Sequence, residues 1–236
     1  MPIAARLTDV HKTYQVGEVE VPALRGVDVE IEEGEFVSFA GPSGSGKTTL
    51  LNLLGALDVP TRGTVEVGGR ATAGLSPATL ADFRNRHLGF VFQTFNLIPV
   101  LTALENVEFP LQLLGIKEAA ERRRRVEALL EEVGLAGLGD RRPSELSGGQ
   151  QQRVAVARAL IKEPTLVLAD EPTANLDSGT ALEIITLMKE MNARRGTTFI
   201  FSTHDRLVME HARRLIRLRD GRIEDEERRG GDGDGV

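Results

Sequence analysis

The chain has no cysteine, no tryptophan, one tyrosine and only 4% aromatic residues in a length of 236. Without cysteine, neither a disulfide framework nor a thiolate metal site can form, which suits a reducing compartment. No stretch approaches the ~20 consecutive apolar residues that a bilayer-spanning helix needs. The first residues, Met-Pro-Ile-Ala-Ala-Arg, carry no apolar run of the signal-peptide kind, so a cytoplasmic location is expected. An excess of basic charge is also missing. The formal net charge of -6 argues against a dedicated nucleic-acid binder.

What is present is a 41% apolar fraction, enough for one sizeable core. Residues 6–10, 18–21 and 27–31 alternate apolar and polar side chains, as half-exposed strands do. Residues 36–40 are almost wholly apolar and predict a buried strand. Residues 50–54 predict a helix, and 64–67 and 88–92 predict strands. From about 102 to 139 the pattern turns helical, and its run Arg122 to Arg125 reads as a solvated face or as a contact for lipid headgroups.

Residues 150–161 form an amphipathic helical pattern. An apolar strand (165–169), a helix (182–191) and a strand (197–201) follow, then a hairpin turned by Asp220 and Gly221. Residues 224–236, charged and rich in Gly and Asp, have the composition of a tail without fixed structure. Apolar strands alternating with helices predict an α/β fold. Its mostly parallel sheet is covered on both faces, and the early strands form an added antiparallel sheet.

Gly41, Pro42, Ser43, Gly44, Ser45, Gly46, Lys47 and Thr48 fit the pattern G-x-x-x-x-G-K-[ST] between a predicted strand and a predicted helix. Such a loop cradles phosphate oxygens with backbone N–H groups, aided by the helix dipole. Lys47 would reach the β- and γ-phosphates, and the Thr48 hydroxyl would ligate Mg²⁺. Later, the apolar strand 165–169 runs into Asp170 and Glu171. Alone, this pair could be solvated turn residues. Beside a phosphate loop, Asp170 is a candidate Mg²⁺ holder and Glu171 a candidate base for water attacking the γ-phosphate.

Ser147, Gly148, Gly149 and Gln150 then form a second Ser/Gly loop directly before a helix. On its own it could be an anion site or an ordinary Ser N-cap. The full string, Leu-Ser-Gly-Gly-Gln-Gln-Gln-Arg, resembles the signature motif of ATP-binding cassette (ABC) proteins, and the other motifs of that family follow in its order. Tyr14 resembles the aromatic that stacks on adenine. Gln93 resembles the Q-loop glutamine, which ligates Mg²⁺ and senses the transport partner. Asp177, in Ala-Asn-Leu-Asp, resembles the D-loop residue, though it could equally head a helix. His204 resembles the switch histidine at the γ-phosphate.

The resemblance implies a P-loop NTPase (RecA-like) core with an antiparallel β subdomain and a helical signature subdomain over about 95–162, all within residues 1–223. It implies ATP contacts from Gly41 to Lys47 and on to Thr48 and Thr49, with Glu171, His204, Lys47 and Gln93 in catalysis. Thr48, Gln93 and Asp170 would surround Mg²⁺. The signature loop would act on ATP held by a second copy, giving a homodimer around two ATP.

The wording from Leu51 to Gly63 and from Phe92 to Leu111 is similar to the LolD/MacB (lipoprotein-release and macrolide-efflux) subfamily. Such cassettes drive an integral-membrane permease subunit from the inner face of the membrane. The segment from Phe95 to Leu114, apolar for a loop region, is the candidate contact, or else ordinary core. A second reading is an FtsE-like cassette that regulates cell division through a membrane partner without transport.

Overall fold

The computed structural model describes residues 2–229. The chain opens with a long hairpin, β1 (Ile3–Val16) and β2 (Val19–Glu32), followed by β3 (Phe36–Ala40) and α1 (Lys47–Leu54). Next come β4 (Arg62–Val67), β5 (Arg70–Ala71), α2 (Pro77–His87) and β6 (Leu88–Phe92). Three helices follow before the next strand: α3 (Ala103–Leu113), α4 (Ala119–Glu132) and α5 (Gly148–Leu160). The chain closes with β7 (Leu166–Asp170), α6 (Ser178–Arg195), β8 (Thr198–Thr203), α7 (Arg206–His211), β9 (Arg214–Arg219) and β10 (Arg222–Arg228).

Strands β2-β1-β4-β5 form an antiparallel sheet. The second sheet has the order β10-β9-β3-β8-β7-β6, parallel throughout except for its edge strand β10. The three short strands read from residues 6–31 are two long ones. Register shifts beside Asp9, Gly26 and Pro22 break the alternation along them, so the pattern looks like fragments.

Every residue of β3 and β8 is buried, because helices or the other sheet cover both faces. Phe36 packs into the core under α3–α6, its ring 4.6 Å from Phe201 and 5.7 Å from Phe199. Val37 and Phe39, pointing the other way, pack into the core with α1 and the antiparallel sheet. Helix α2 escaped the sequence reading because only Phe83 of its residues is buried, too little for an apolar stripe. Ser76 starts it, accepting from the Thr79 N–H, with Pro77 as its first residue.

One expectation fails. Residues 224–228 are not part of an unstructured tail; they lie in β10. The charges that suggested disorder are paired. Arg214, 5% exposed, donates to Glu35 at 2.9 Å and to Glu226 at 2.9 Å, and Arg217 pairs with Asp225 and Glu227. Residues 230–236 of that expected tail lie outside the described residues.

The hydrogen bond from Arg214 holds the Glu226 carboxyl below the usual carboxylate range, against the opposing effect of burial. A carboxyl depressed by folding stabilises the protein above its unfolded pKa and loses that contribution as pH falls through the folded one. Stability should therefore fall below about pH 4.3. Replacing Arg214→Met should cost about 2–4 kcal/mol at pH 7 and make the acid loss shallower, measured by urea unfolding across pH.

Candidate active site

The parallel strands of the large sheet end on one side, and the candidate residues collect there. β3 runs into the loop 41–46, and Lys47 opens α1. Gly46 caps that helix at φ 105°, where a Cβ would stand 2.7 Å from the Ala23 carbonyl. Only glycine lets the loop pass so close to β2 and still start a helix. Lys47 is buried, and its Nζ donates to the carbonyls of Gly41 at 2.7 Å and Pro42 at 3.0 Å. Both acceptors are neutral, and no carboxylate among the described residues forms an ion pair with this ammonium.

A cleft of about 710 Å³ adjoins the loop. Its walls carry Tyr14, Pro42, Ser43, Gly44, Gly46, Lys47, Thr48 and Thr49, together with Gln93, Glu171, Ser202 and His204. Gly41, Ser45 and Asp170 do not reach the wall. The Ser45 hydroxyl and Oδ1 of Asp170 are buried without a hydrogen-bond partner. Burial raises the Asp170 carboxyl and neighbouring Glu171 adds to the rise, while the nearby Ser202 hydroxyl and Lys47 oppose it. An acid so placed gains from a cation beside it.

Glu171 follows directly, with its backbone at φ 45°. A non-glycine residue holds that conformation only where its surroundings fix it. Here its N–H donates to the Ser202 carbonyl at 2.9 Å. The Thr203 hydroxyl donates to Oε2 at 2.9 Å, and His204 Nδ1 meets Oε1 at 2.6 Å. The carboxylate is thus aimed by two residues at the end of β8. The His204 side chain is 73% exposed and faces the cleft, whereas that of Glu171 is 19% exposed.

Gln93, just past β6, donates to Oδ1 of Asn175 at 3.3 Å, and Asn175 returns a bond to the Gln93 carbonyl at 3.0 Å. On the opposite wall, the Tyr14 hydroxyl donates to Asp58 at 2.9 Å, and Lys12 bonds the same carboxylate at 2.6 Å. Burial raises the Asp58 carboxyl, but bonds from Lys12, the Val59 N–H and Tyr14 outweigh it and hold it low. This bracing leaves the Tyr14 ring at the cleft with its hydroxyl already used.

Lys12, Asp58, Asn175 and Thr203 were not singled out from the sequence. Thr203 directly precedes His204, which could have flagged it. Nothing local marks Asp58, because its side-chain partners, Lys12 and Tyr14, come from β1.

The second loop lies elsewhere. Ser147, Gly148, Gly149, Gln150 and Asp177 are absent from the cleft wall. Ser147 heads α5 in a reciprocal cap: its Oγ accepts from the Gln150 N–H at 3.3 Å, and Gln150 Oε1 accepts from the Ser147 N–H at 2.9 Å. Asp177 heads α6, accepting from the N–H groups of Gly179 and Thr180. The two helix starts adjoin, since a Cβ on Gly149 would stand 2.5 Å from Cγ2 of Thr180. The two Ser/Gly loops therefore lie on separate surfaces of one chain.

Residues 24–174 match the family model described as ABC transporter. The chain belongs to the ABC transporter ATP-binding family. It is 53% identical over 227 residues to an uncharacterised ABC transporter ATP-binding protein of Thermotoga maritima, covering 95% of each. It is 50% identical over 217 residues to the lipoprotein-releasing system ATP-binding protein LolD of Anaeromyxobacter dehalogenans, covering 92% of this chain and 91% of that one. It is also 50% identical over 221 residues to the macrolide export ATP-binding/permease protein MacB of Syntrophobacter fumaroxidans. It spans 31% of that longer protein.

The fold matches the ATP-binding cassette MJ0796 of Methanocaldococcus jannaschii, solved as a dimer bound to ADP and phosphate. The TM-score is 0.87 at 47% identity, over 97% of this chain and 100% of that one. The expected α/β cassette fold is confirmed, and ABC cassettes are ATPases. The named relatives favour the LolD/MacB branch over a division regulator. No helix among the described residues is long and apolar enough to cross a membrane.

The contact at Gly149 gives a test of this cassette's packing. Replacing Gly149→Ala should lower stability by about 1–3 kcal/mol. Adding Thr180→Ser removes the colliding methyl and keeps the hydroxyl that bonds Asp177. Urea unfolding should show most of the loss restored in the double variant.

Proposed function

We propose that two copies of this cassette close around two ATP molecules, each gripped by the phosphate loop of one copy and the Ser147 loop of the other. The observation that carries this reading is the separation of the two loops. Lys47, Glu171 and His204 share one cleft, while Ser147 heads a helix outside it. A two-fold dimer places such surfaces opposite one another in pairs. The dimeric MJ0796 structure with ADP and phosphate supports it.

In each site Tyr14 stacks on the base, and the loop from Gly41 to Thr49 holds the phosphates. Lys47, now bound only to neutral carbonyls, turns to the β- and γ-phosphate oxygens. The residues present fit a Mg²⁺ ion. Asp170, set back from the cleft wall, carries a buried Oδ1 with no hydrogen-bond partner, and Thr48 and Gln93 line the cleft itself. When bound, Mg²⁺ would neutralise phosphate charge and favour departure of ADP.

Glu171 accepts the proton of the water whose oxygen attacks the γ-phosphorus, as the bond to the bridging oxygen breaks. Thr203 and His204 aim that carboxylate, and His204 is exposed enough to meet the γ-phosphate. Asp177 sits where α6 meets the signature loop.

The partner chemistry follows the named relatives, a lipoprotein-release ATPase and a macrolide exporter. The cassette works on the cytoplasmic face, driving an integral-membrane subunit in export or lipoprotein release. The segment from Phe95 to Leu114 divides in two. Ala103, Leu104, Val107 and Leu111 are core, whereas Val100, Phe109 and Leu113 are exposed and form the contact surface. The ATP-binding domain runs through β10, with α3–α5 as its helical part.

Replacing Glu171→Gln keeps the shape and removes the base. Turnover should fall by about 10²–10⁴-fold, and size-exclusion with ATP should show a trapped dimer. A monomer under those conditions would count against the sandwich. Replacing Ser147→Asp keeps a good N-cap but sets a carboxylate against the phosphate. Turnover and dimerisation should vanish while ATP affinity of the monomer stays within about twofold, read by nucleotide titration.

A further inference from the structure

Gln152 lies on α5, in the turn after the Ser147 loop, and is fully buried. Its Nε2 donates to the Pro172 carbonyl at 2.5 Å, and its Oε1 is buried with no partner. Pro172 follows Glu171. The Glu171 backbone holds its left-handed conformation between two fixings: its own N–H on the Ser202 carbonyl, and the carbonyl of the next residue on Gln152. The turn continues to Thr173, whose hydroxyl bonds Asp205. The other bonds to this turn come from the end of β8 and the residues just after it, and from the Ala174 N–H to the Glu171 carbonyl within the turn at 3.2 Å. Gln152 is the one that reaches it from the signature helix.

A packing role alone does not suit this side chain. A methionine would fill the same space without burying an amide oxygen that has no donor. What glutamine adds is the bond to Pro172.

We propose that Gln152 is a positioning residue that ties the catalytic Glu171 of its own site to the signature loop serving the other. The idea rests on the sandwich reading above. α5 is one continuous helix, so its N-terminus and Gln152 move together. When the Ser147 loop settles on the nucleotide of the second copy, Gln152 settles with it and fixes the turn that aims Glu171. Each ATP then helps arm the site it does not occupy. The two hydrolysis events become linked without contact between the nucleotides.

The test uses the full purified chain, with turnover followed against ATP concentration and pH. Gln152→Met keeps the volume and loses the donor. Its kcat should drop about 10- to 100-fold, with ATP affinity of the monomer unchanged. Its Hill coefficient should fall from about 2 toward about 1. Gln152→Glu can donate to the Pro172 carbonyl only when protonated, and burial raises its pKa. Relative to the parent at each pH, its kcat should recover as pH falls from about 8 to about 6. The methionine variant should show no such recovery.

Parent-like kcat and Hill coefficient in Gln152→Met, whatever its melting temperature, would overturn the proposal. So would a Gln152→Glu variant with no pH recovery, and this second variant decides alone if the first does not fold. Failure of the sandwich is read separately, as a Glu171→Gln variant that stays monomeric with ATP. If that variant dimerises while Gln152→Met works normally, only the coupling is wrong.

Discussion

Burial of β3 on both faces is the constraint on which the site depends. Phe36 enters one core while Val37 and Phe39 enter the other, all fully buried. Each such side chain contributes about 1.5–3 kcal/mol, and a slip by one residue would exchange the two sets. The strand is therefore held in register with β8, pairing Ala40 with Thr203. The next pairings set Ser202 beside Asp170 and Asp170 beside Phe92. Four strand ends lie in one row. The phosphate loop, Glu171, His204 and Gln93 all issue from it.

That row concentrates charge that the protein leaves partly uncompensated. Lys47 rests on carbonyls, Asp170 keeps a bare buried oxygen, and Glu171 is held in a backbone conformation its side chain would not choose. Elsewhere the chain pairs its charges closely, as Arg214 does with Glu35 and Glu226. Local rules are broken where a polyanion and a cation are to be received, and kept where stability is at stake.

The same contrast explains what the sequence could show. Strands β3, β6 and β7 could be read almost residue for residue, because burial on two faces leaves a continuous apolar run. Both loops and the acid pair were legible because their chemistry is local in the chain. Helix α2 was hidden by having a single buried residue, and β10 by side chains that look solvated until Arg214 and Arg217 are placed opposite them. Lys12 bracing Asp58 and Gln152 reaching Pro172 were out of reach for another reason. Both join residues far apart in the chain, and no pattern along one segment encodes its partner.

The placement of β10 has a consequence for how copies meet. It is the outer strand of the large sheet. Its Glu224, Asp225, Glu226 and Glu227 alternate between the two faces, and each is paired with an arginine of β9. A strand so crowded with charged side chains, their partners already fixed on β9, discourages edge-to-edge extension of the sheet by a second copy. The outer edge of the sheet is thereby guarded by charge against a pairing of copies that would need no nucleotide.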